Sequence, residues 1–222
     1  MNITDNLARV KRSVPEHVRI VAVSKMQPLS ALVEAYHAGQ RVFGENKVQE
    51  LVTKQLQLPA DTEWHFIGHL QTNKVKYMAT FVSLIHSIDS LNLLKEVNKE
   101  AMKNNRIIDC LLQFYIATEE TKFGLSIEEA MAILDSNNYQ TMKNIRITGV
   151  MGMSSFSDDL KMVRSEFKSL HDYYVVLKAR NFENHDSFNV ISMGMSGDYK
   201  IAIKEGSTMV RIGTSIFGDR TY

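Results

Sequence analysis

Cysteine is nearly missing from this chain: Cys110 is the only one in 222 residues. A lone thiol cannot close an intrachain disulfide, so no such cross-link holds the fold, and the usage fits a reducing compartment. Set in the apolar run 107–112, Cys110 reads as a small buried hydrophobe. Proline is scarce too, and Pro15, Pro28 and Pro59 all fall between the periodic segments described below. No run approaches the ~18 uninterrupted apolar residues of a membrane helix. The first thirteen residues are amphipathic with charges throughout, unlike a secretory signal. The expected location is cytoplasmic. Neither charge is in excess, since 26 Lys+Arg against 25 Asp+Glu leave a net charge of +1. Nothing in that balance builds the basic face that nucleic acid or an anionic membrane would need, and neither partner is expected. Linkers, charge blocks and low-complexity tracts are lacking as well, so a single domain over residues 1–222 is expected.

What the chain does have is a repeating alternation. Short apolar, β-branched runs occupy 19–25, 41–46, 63–69, 83–89, 107–117, 145–154, 187–195 and 208–218. Helical patterns separate them at 29–39, 47–58, 72–81, 90–105, 126–139, 157–181 and 198–206. Strand and helix in turn demand parallel strands with helical crossovers, and eight units favour closure into a (β/α)8 barrel. Gly39 and Gly206 sit just past helical patterns, where a left-handed residue is wanted. Ser90, Ser126 and Ser157 stand where N-caps belong. After the last run, 219–222 is too short for an eighth outer helix, and the amphipathic stretch 3–12 is expected to fill that place beside the last strand. No exposed apolar stripe is evident, and a monomer is expected.

Reactive groups of such barrels collect at the C-terminal ends of the strands. The first run ends in Ser24-Lys25. Alternation puts Lys25 on the face of Val21 and Val23. In the lumen, burial would lower its pKa and supply a neutral amine for imine formation; at the rim it would reach water. The last run, Gly206-Ser207-Thr208-Met209-Val210-Arg211-Ile212-Gly213-Thr214, carries an arginine between apolar neighbours, which must pair or reach solvent. The hydroxyls and bare amides of Gly213 and Thr214, with those of Ser192-Met193-Gly194-Met195-Ser196-Gly197 on the preceding run, suit a phosphate. His65 and His69 share a strand face, but sit about 13 Å apart with no acidic or cysteine partner, so a metal is not expected. Hydrogen-bonded core or mouth histidines fit better. Met151 and Met153 share a face of the sixth run and read as lumen filling that could line a pocket.

Taken in order, Val21-Ala22-Val23-Ser24-Lys25, Phe43-Gly44-Glu45-Asn46, Trp64-His65-Phe66-Ile67-Gly68-His69-Leu70-Gln71-Thr72-Asn73-Lys74, His86-Ser87-Ile88-Asp89, Lys122-Phe123-Gly124, Ser192-Met193-Gly194-Met195-Ser196 and the closing segment from Gly206 to Gly218 resemble the pyridoxal phosphate homeostasis protein family. These are small relatives of the alanine racemase N-terminal barrel, and the likeness runs from about residue 19 onward. The resemblance implies a single α/β (β/α)8 TIM-like barrel of that type (pyridoxal-phosphate fold type III) with an extra N-terminal helix. It implies pyridoxal 5′-phosphate (PLP) as cofactor, carried as a Schiff base on Lys25. By the same likeness Ser196, Gly213 and Thr214 form the phosphate cradle, Met195 belongs to the cofactor site, Arg211 faces the pyridine nitrogen, and Asn46 lies close to the ring. The local departure is Gln113-Phe114-Tyr115-Ile116-Ala117, aromatic where the family more often has small or polar residues, which puts the mouth lining at the fifth strand in question.

What the resemblance implies for function is intracellular PLP buffering and delivery, with PLP-requiring apo-enzymes as recipients and no substrate turnover. Racemases of this barrel type draw a tyrosine from a second domain, and no such domain is expected here. The alternatives are a low-activity PLP-dependent racemase and a cofactor-free Schiff-base aldolase.

Overall fold

The computed structural model describes residues 2–117 and 123–218; Lys122 and the segment 219–222 lie outside the described residues. Eight strands run β1 (Arg19–Val23), β2 (Val42–Glu45), β3 (Glu63–Phe66), β4 (Leu84–Ile88), β5 (Ile108–Phe114), β6 (Ile145–Gly152), β7 (Val190–Ser192) and β8 (Met209–Ile212). Each pairs in parallel with the next, and β1 pairs with β8 through Arg19↔Met209 to Ala22↔Ile212, closing the barrel. The expected (β/α)8 fold is what the chain adopts.

Helices alternate with the strands: α1 (Ile3–Ser13), α2 (Leu29–His37), α3 (Val48–Gln55), α4 (Leu91–Lys103), α5 (Ile127–Asp135), α6 (Asn137–Gln140), α7 (Leu160–Asn181), α8 (Tyr199–Lys204) and α9 (Thr214–Phe217). Outward-facing residues of the strands, among them Ala22, Phe43, Trp64, Phe66 and Ile85, pack under the helices in one large core. Inward-facing residues form a second, smaller cluster in the lumen: Val21, Val42, Leu84, Leu111, Met151 and Met209. Period-two alternation separates the two sets. Helix α1 packs against α2 and α9, and Asn6 Nδ2 donates to Ile216 O at 3.0 Å. It thus occupies the outer place beside β8 that the sequence left vacant.

Several boundaries differ from the sequence expectation. The pattern 72–81 is a 3-10 helix, Thr72–Tyr77, rather than an α-helix. Pattern 126–139 is split at Ser136, which ends α5 and caps α6 with its hydroxyl on the Tyr139 amide. Ser90 and Ser126 are N-caps, Ser126 in a full capping box with Glu129. Ser157 is not one. Asp159 caps α7, accepting from Lys161 and Met162, while the Ser157 hydroxyl binds the amide of Asp159 itself. Gly39 and Gly206 do hold left-handed backbone, at φ 83° and 95°. Cys110 is fully buried, and burial pushes its thiol pKa up, as for an inert core residue. Among the described residues no helix is long and apolar enough to cross a membrane.

Candidate functional site

At the C-terminal end of the barrel lies a cavity of about 400 Å³, bordered among others by Val23, Lys25, Asn46, Ile67, Met153 and Met195 and by the loops after β7 and β8. All seven residues singled out from the sequence (Lys25, Asn46, Met195, Ser196, Arg211, Gly213 and Thr214) line it.

Strand β1 ends at Val23, and Lys25 is a half-buried turn residue on the cavity, the rim placement that the sequence leaves open beside the lumen. The turn is fixed from below and from the side. Ser24 Oγ donates to the fully buried Glu45 Oε1 at 2.6 Å, and Lys54 Nζ donates to Ser24 O and to Glu45 Oε1, both at 2.8 Å. Lys54 also reaches Glu50 Oε2 at 3.1 Å, and that same oxygen accepts from Met26 N at 2.8 Å. Met26 has φ 60°, a costly conformation for a side-chain-bearing residue, so these tethers hold the backbone on both sides of Lys25 in place. Burial pushes the Glu45 carboxyl pKa up, against the pull of Lys54 and Ser24. For Glu50 burial acts upward too, but the Met26 amide and Lys54 outweigh it and the carboxyl ends below its ordinary value. This clamp was not foreseen, although Glu45 and Lys54 are visible as charges inside apolar patterns.

Opposite sequence segments build the rest. Ser196 Oγ accepts from two backbone amides at once, Gly213 N at 3.2 Å and Ser215 N at 3.3 Å. Two amides converging on one oxygen form a cradle of the kind that fits an anion. The loops are locked together by Arg211 N on Gly194 O at 2.9 Å, and Asp198 accepts from Met195 N and from Ser154 Oγ. Thr214 is exposed at the rim. Asn46 carries a buried Oδ1 with no hydrogen-bond partner among the described residues. Its backbone is pressed against Gly68, where a Cβ would stand 2.3 Å from Asn46 O. Only glycine fits there, a constraint that the sequence motif around Gly68 does not by itself reveal.

Arg211 is buried, 4% exposed, in the neck between cavity and lumen. Its NH1 donates to Ser192 O at 2.8 Å and to Ser192 Oγ at 2.7 Å, and NH2 donates to Gly152 O at 3.0 Å. All three acceptors are neutral. Burial therefore pushes the guanidinium pKa down to about 10, with Asp198 pulling the other way. Three of its five donors are engaged, which leaves two for a ligand.

The other sequence candidates separate. Met151 is lumen filling, whereas Met153 borders the cavity. His65 and His69 do not share a face as expected, because β3 ends at Phe66. His65 is buried in the barrel; His69 is exposed, 3.3 Å from Asp89 Oδ2 and stacked on Phe123. Among the described residues no three potential metal ligands cluster. The aromatic departure on β5 leaves the mouth alone. Phe114 is buried against Tyr173 of α7, and none of residues 113–117 borders the cavity.

The pattern of the alanine racemase N-terminal domain matches residues 1–221. The chain belongs to that family. A pyridoxal phosphate homeostasis protein of Aquifex aeolicus is 37% identical to it over the full length of both chains. Among solved structures, PipY of Synechococcus elongatus without PLP superposes with a TM-score of 0.90 at 32% identity, over 97% of this chain and all of PipY. The structure of PipY with PLP bound gives a TM-score of 0.87 with the same identity and coverage. The family resemblance read from the sequence is thereby established, as is the barrel type.

Proposed function

We infer that the chain binds pyridoxal 5′-phosphate as a Schiff base on Lys25 and serves in homeostasis of that cofactor, holding and handing it on without turning over a substrate. One observation carries this reading: the primary amine of Lys25, the Ser196, Gly213 and Thr214 loop residues and the buried Arg211 border a single cavity. The relatives named for PLP homeostasis and the PLP-bound PipY structure support it.

When bound, PLP supplies an electrophilic aldehyde and an electron-withdrawing ring. In this reading Lys25 Nζ is the nucleophile. Ser196, Gly213 and Thr214, which meet at the cavity, would hold the phosphate. Asn46, whose buried Oδ1 has no partner among the described residues, would lie near the ring, and Met195 would flank the cofactor. Arg211 would offer one of its remaining donors to the ring nitrogen and hold it unprotonated, since a second cation beside it would be repelled. That makes the ring a weaker electron sink. The mouth is bordered by Phe156, 99% exposed, and by exposed Met195, so water enters readily. The weaker sink limits carbanion chemistry without abolishing it, and the open mouth favours storage and delivery to PLP-requiring apo-enzymes over catalysis; a cytoplasmic monomer is the form proposed. Membership of the racemase domain family favours one second reading, a slow PLP-dependent amino-acid racemase.

A panel of amino acids incubated with the PLP-loaded protein tests the distinction. Racemisation, transamination and decarboxylation no faster than with free PLP are expected; turnover well above that background would replace storage by catalysis.

A further inference from the structure

The lumen is not uniformly apolar. Below Arg211, Ser192 Oγ lies 3.0 Å from His86 Nδ1, His86 Nε2 lies 3.0 Å from His65 Nδ1, and His65 Nε2 lies 3.2 Å from Glu63 Oε1. Ser192, His86 and His65 are fully buried. Glu63 is ion-paired to Arg19 at the opposite, N-terminal mouth, where a second cavity of about 280 Å³ opens beside Asp109, Arg146 and Thr148. The contacts form one continuous chain along the barrel axis, from the cofactor end to the base.

Its direction is fixed from both ends. Arginine has donors and no acceptor, so Ser192 Oγ accepts from Arg211 and its one proton goes to His86 Nδ1. A neutral His86 then carries hydrogen on Nε2 and donates it to His65 Nδ1. His65 in turn carries hydrogen on Nε2, and the Glu63 carboxylate accepts it. Reversing any link would aim a lone pair of His65 at a carboxylate or leave the Ser192 proton without an acceptor. Burial lowers the pKa of both imidazoles, for His86 with the neighbouring His65 and Arg211 adding to the effect, which agrees with two neutral rings. The geometry points to a one-way hydrogen-bond chain, Arg211 to Ser192 to His86 to His65 to Glu63, in which the last four are positioning residues that aim the Arg211 guanidinium into the cavity. Because a guanidinium cannot return a proton in this pH range, the chain orients and does not conduct. Its link to the ring nitrogen rests on the reading of the cavity as a PLP site; the chain itself does not.

Long-range proton–nitrogen NMR of the histidine side chains in the PLP-free protein tests it without the cofactor. Signals assigned through the His65→Phe and His86→Phe variants are expected to show both rings as Nε2–H tautomers. Ser192→Ala should release the His86 tautomer and weaken PLP binding by about 3- to 10-fold, the effect of one lost hydrogen bond. Glu63→Gln keeps an acceptor for His65 and should preserve tautomers and affinity, while Glu63→Met should lose both. An Nδ1–H tautomer at either ring in the parent protein overturns the proposal. So does parental PLP affinity and absorbance in both Ser192→Ala and Glu63→Met. A parent that binds no PLP would instead remove the cofactor reading, with the tautomers still deciding the chain.

Discussion

Met26 N donates to Glu50 Oε2 at 2.8 Å, and that oxygen also accepts from Lys54, whose ammonium simultaneously binds the carbonyl of Ser24. The residues on either side of Lys25 are therefore anchored to the same helix, α3. Lys54→Met should leave the buried Glu45 carboxylate without its cation, at a cost of about 3–5 kcal/mol. Urea unfolding checks this, and adding Glu45→Gln to the same chain should recover part of the loss. Full stability in the single variant would mean that the clamp is dispensable.

Gly68→Ala would place a methyl 2.3 Å from Asn46 O, a backbone atom that cannot swing aside. Strain of about 1–3 kcal/mol is expected, together with weaker PLP binding as Asn46 is displaced. Melting temperature and a PLP titration read the two effects separately.

Acid should destabilise the barrel through its lumen. His65 and His86 are fully buried, and desolvation, the dominant cause for each, depresses their pKa; the Glu63 carboxylate partly offsets this at His65. Below about pH 6.5 the unfolded chain takes up protons on these imidazoles that the folded chain refuses, so stability falls as pH drops through that range. The slope is up to about 1.4 kcal/mol per pH unit for each histidine. Urea midpoints at pH 7.5 and 5.5 measure it, and His86→Phe should flatten the dependence.

Thr214→Val removes one hydroxyl from the rim of the proposed phosphate cradle without touching the Gly213 and Ser215 amides. PLP affinity should drop by about 1.5–3 kcal/mol, the worth of a charge-assisted hydrogen bond. Equilibrium dialysis reports it; an unchanged affinity would remove Thr214 from the cradle.

The strands were legible because their β-branched runs are separated by helical periods, and closure followed from there being eight of them. Their ends were not. The run 19–25 stops at Val23 because the Ser24 carbonyl turns to Lys54 Nζ and Gln27 N, both long-range or turn contacts that no periodicity encodes. The run 208–218 breaks after Ile212 because Gly213 O accepts from Ile216 and Phe217 and starts α9. The seven site candidates converge on one cavity because strand ends of a barrel share one mouth. What escaped was polar and interior. Period-two alternation places Glu63 and His65 on one face of β3, and Ser192 on the inner face of β7, but nothing in the sequence says that these faces meet across the lumen.

The most direct test is the mass of the Lys25 peptide after the purified protein is incubated with PLP, treated with borohydride and digested. A yellow protein whose colour bleaches on reduction is expected, with a pyridoxyl phosphate group on Lys25 and neither signal in Lys25→Ala, which should remain folded. A reduced adduct on another lysine, or a Lys25→Ala variant as yellow as its parent, would contradict the Lys25 assignment.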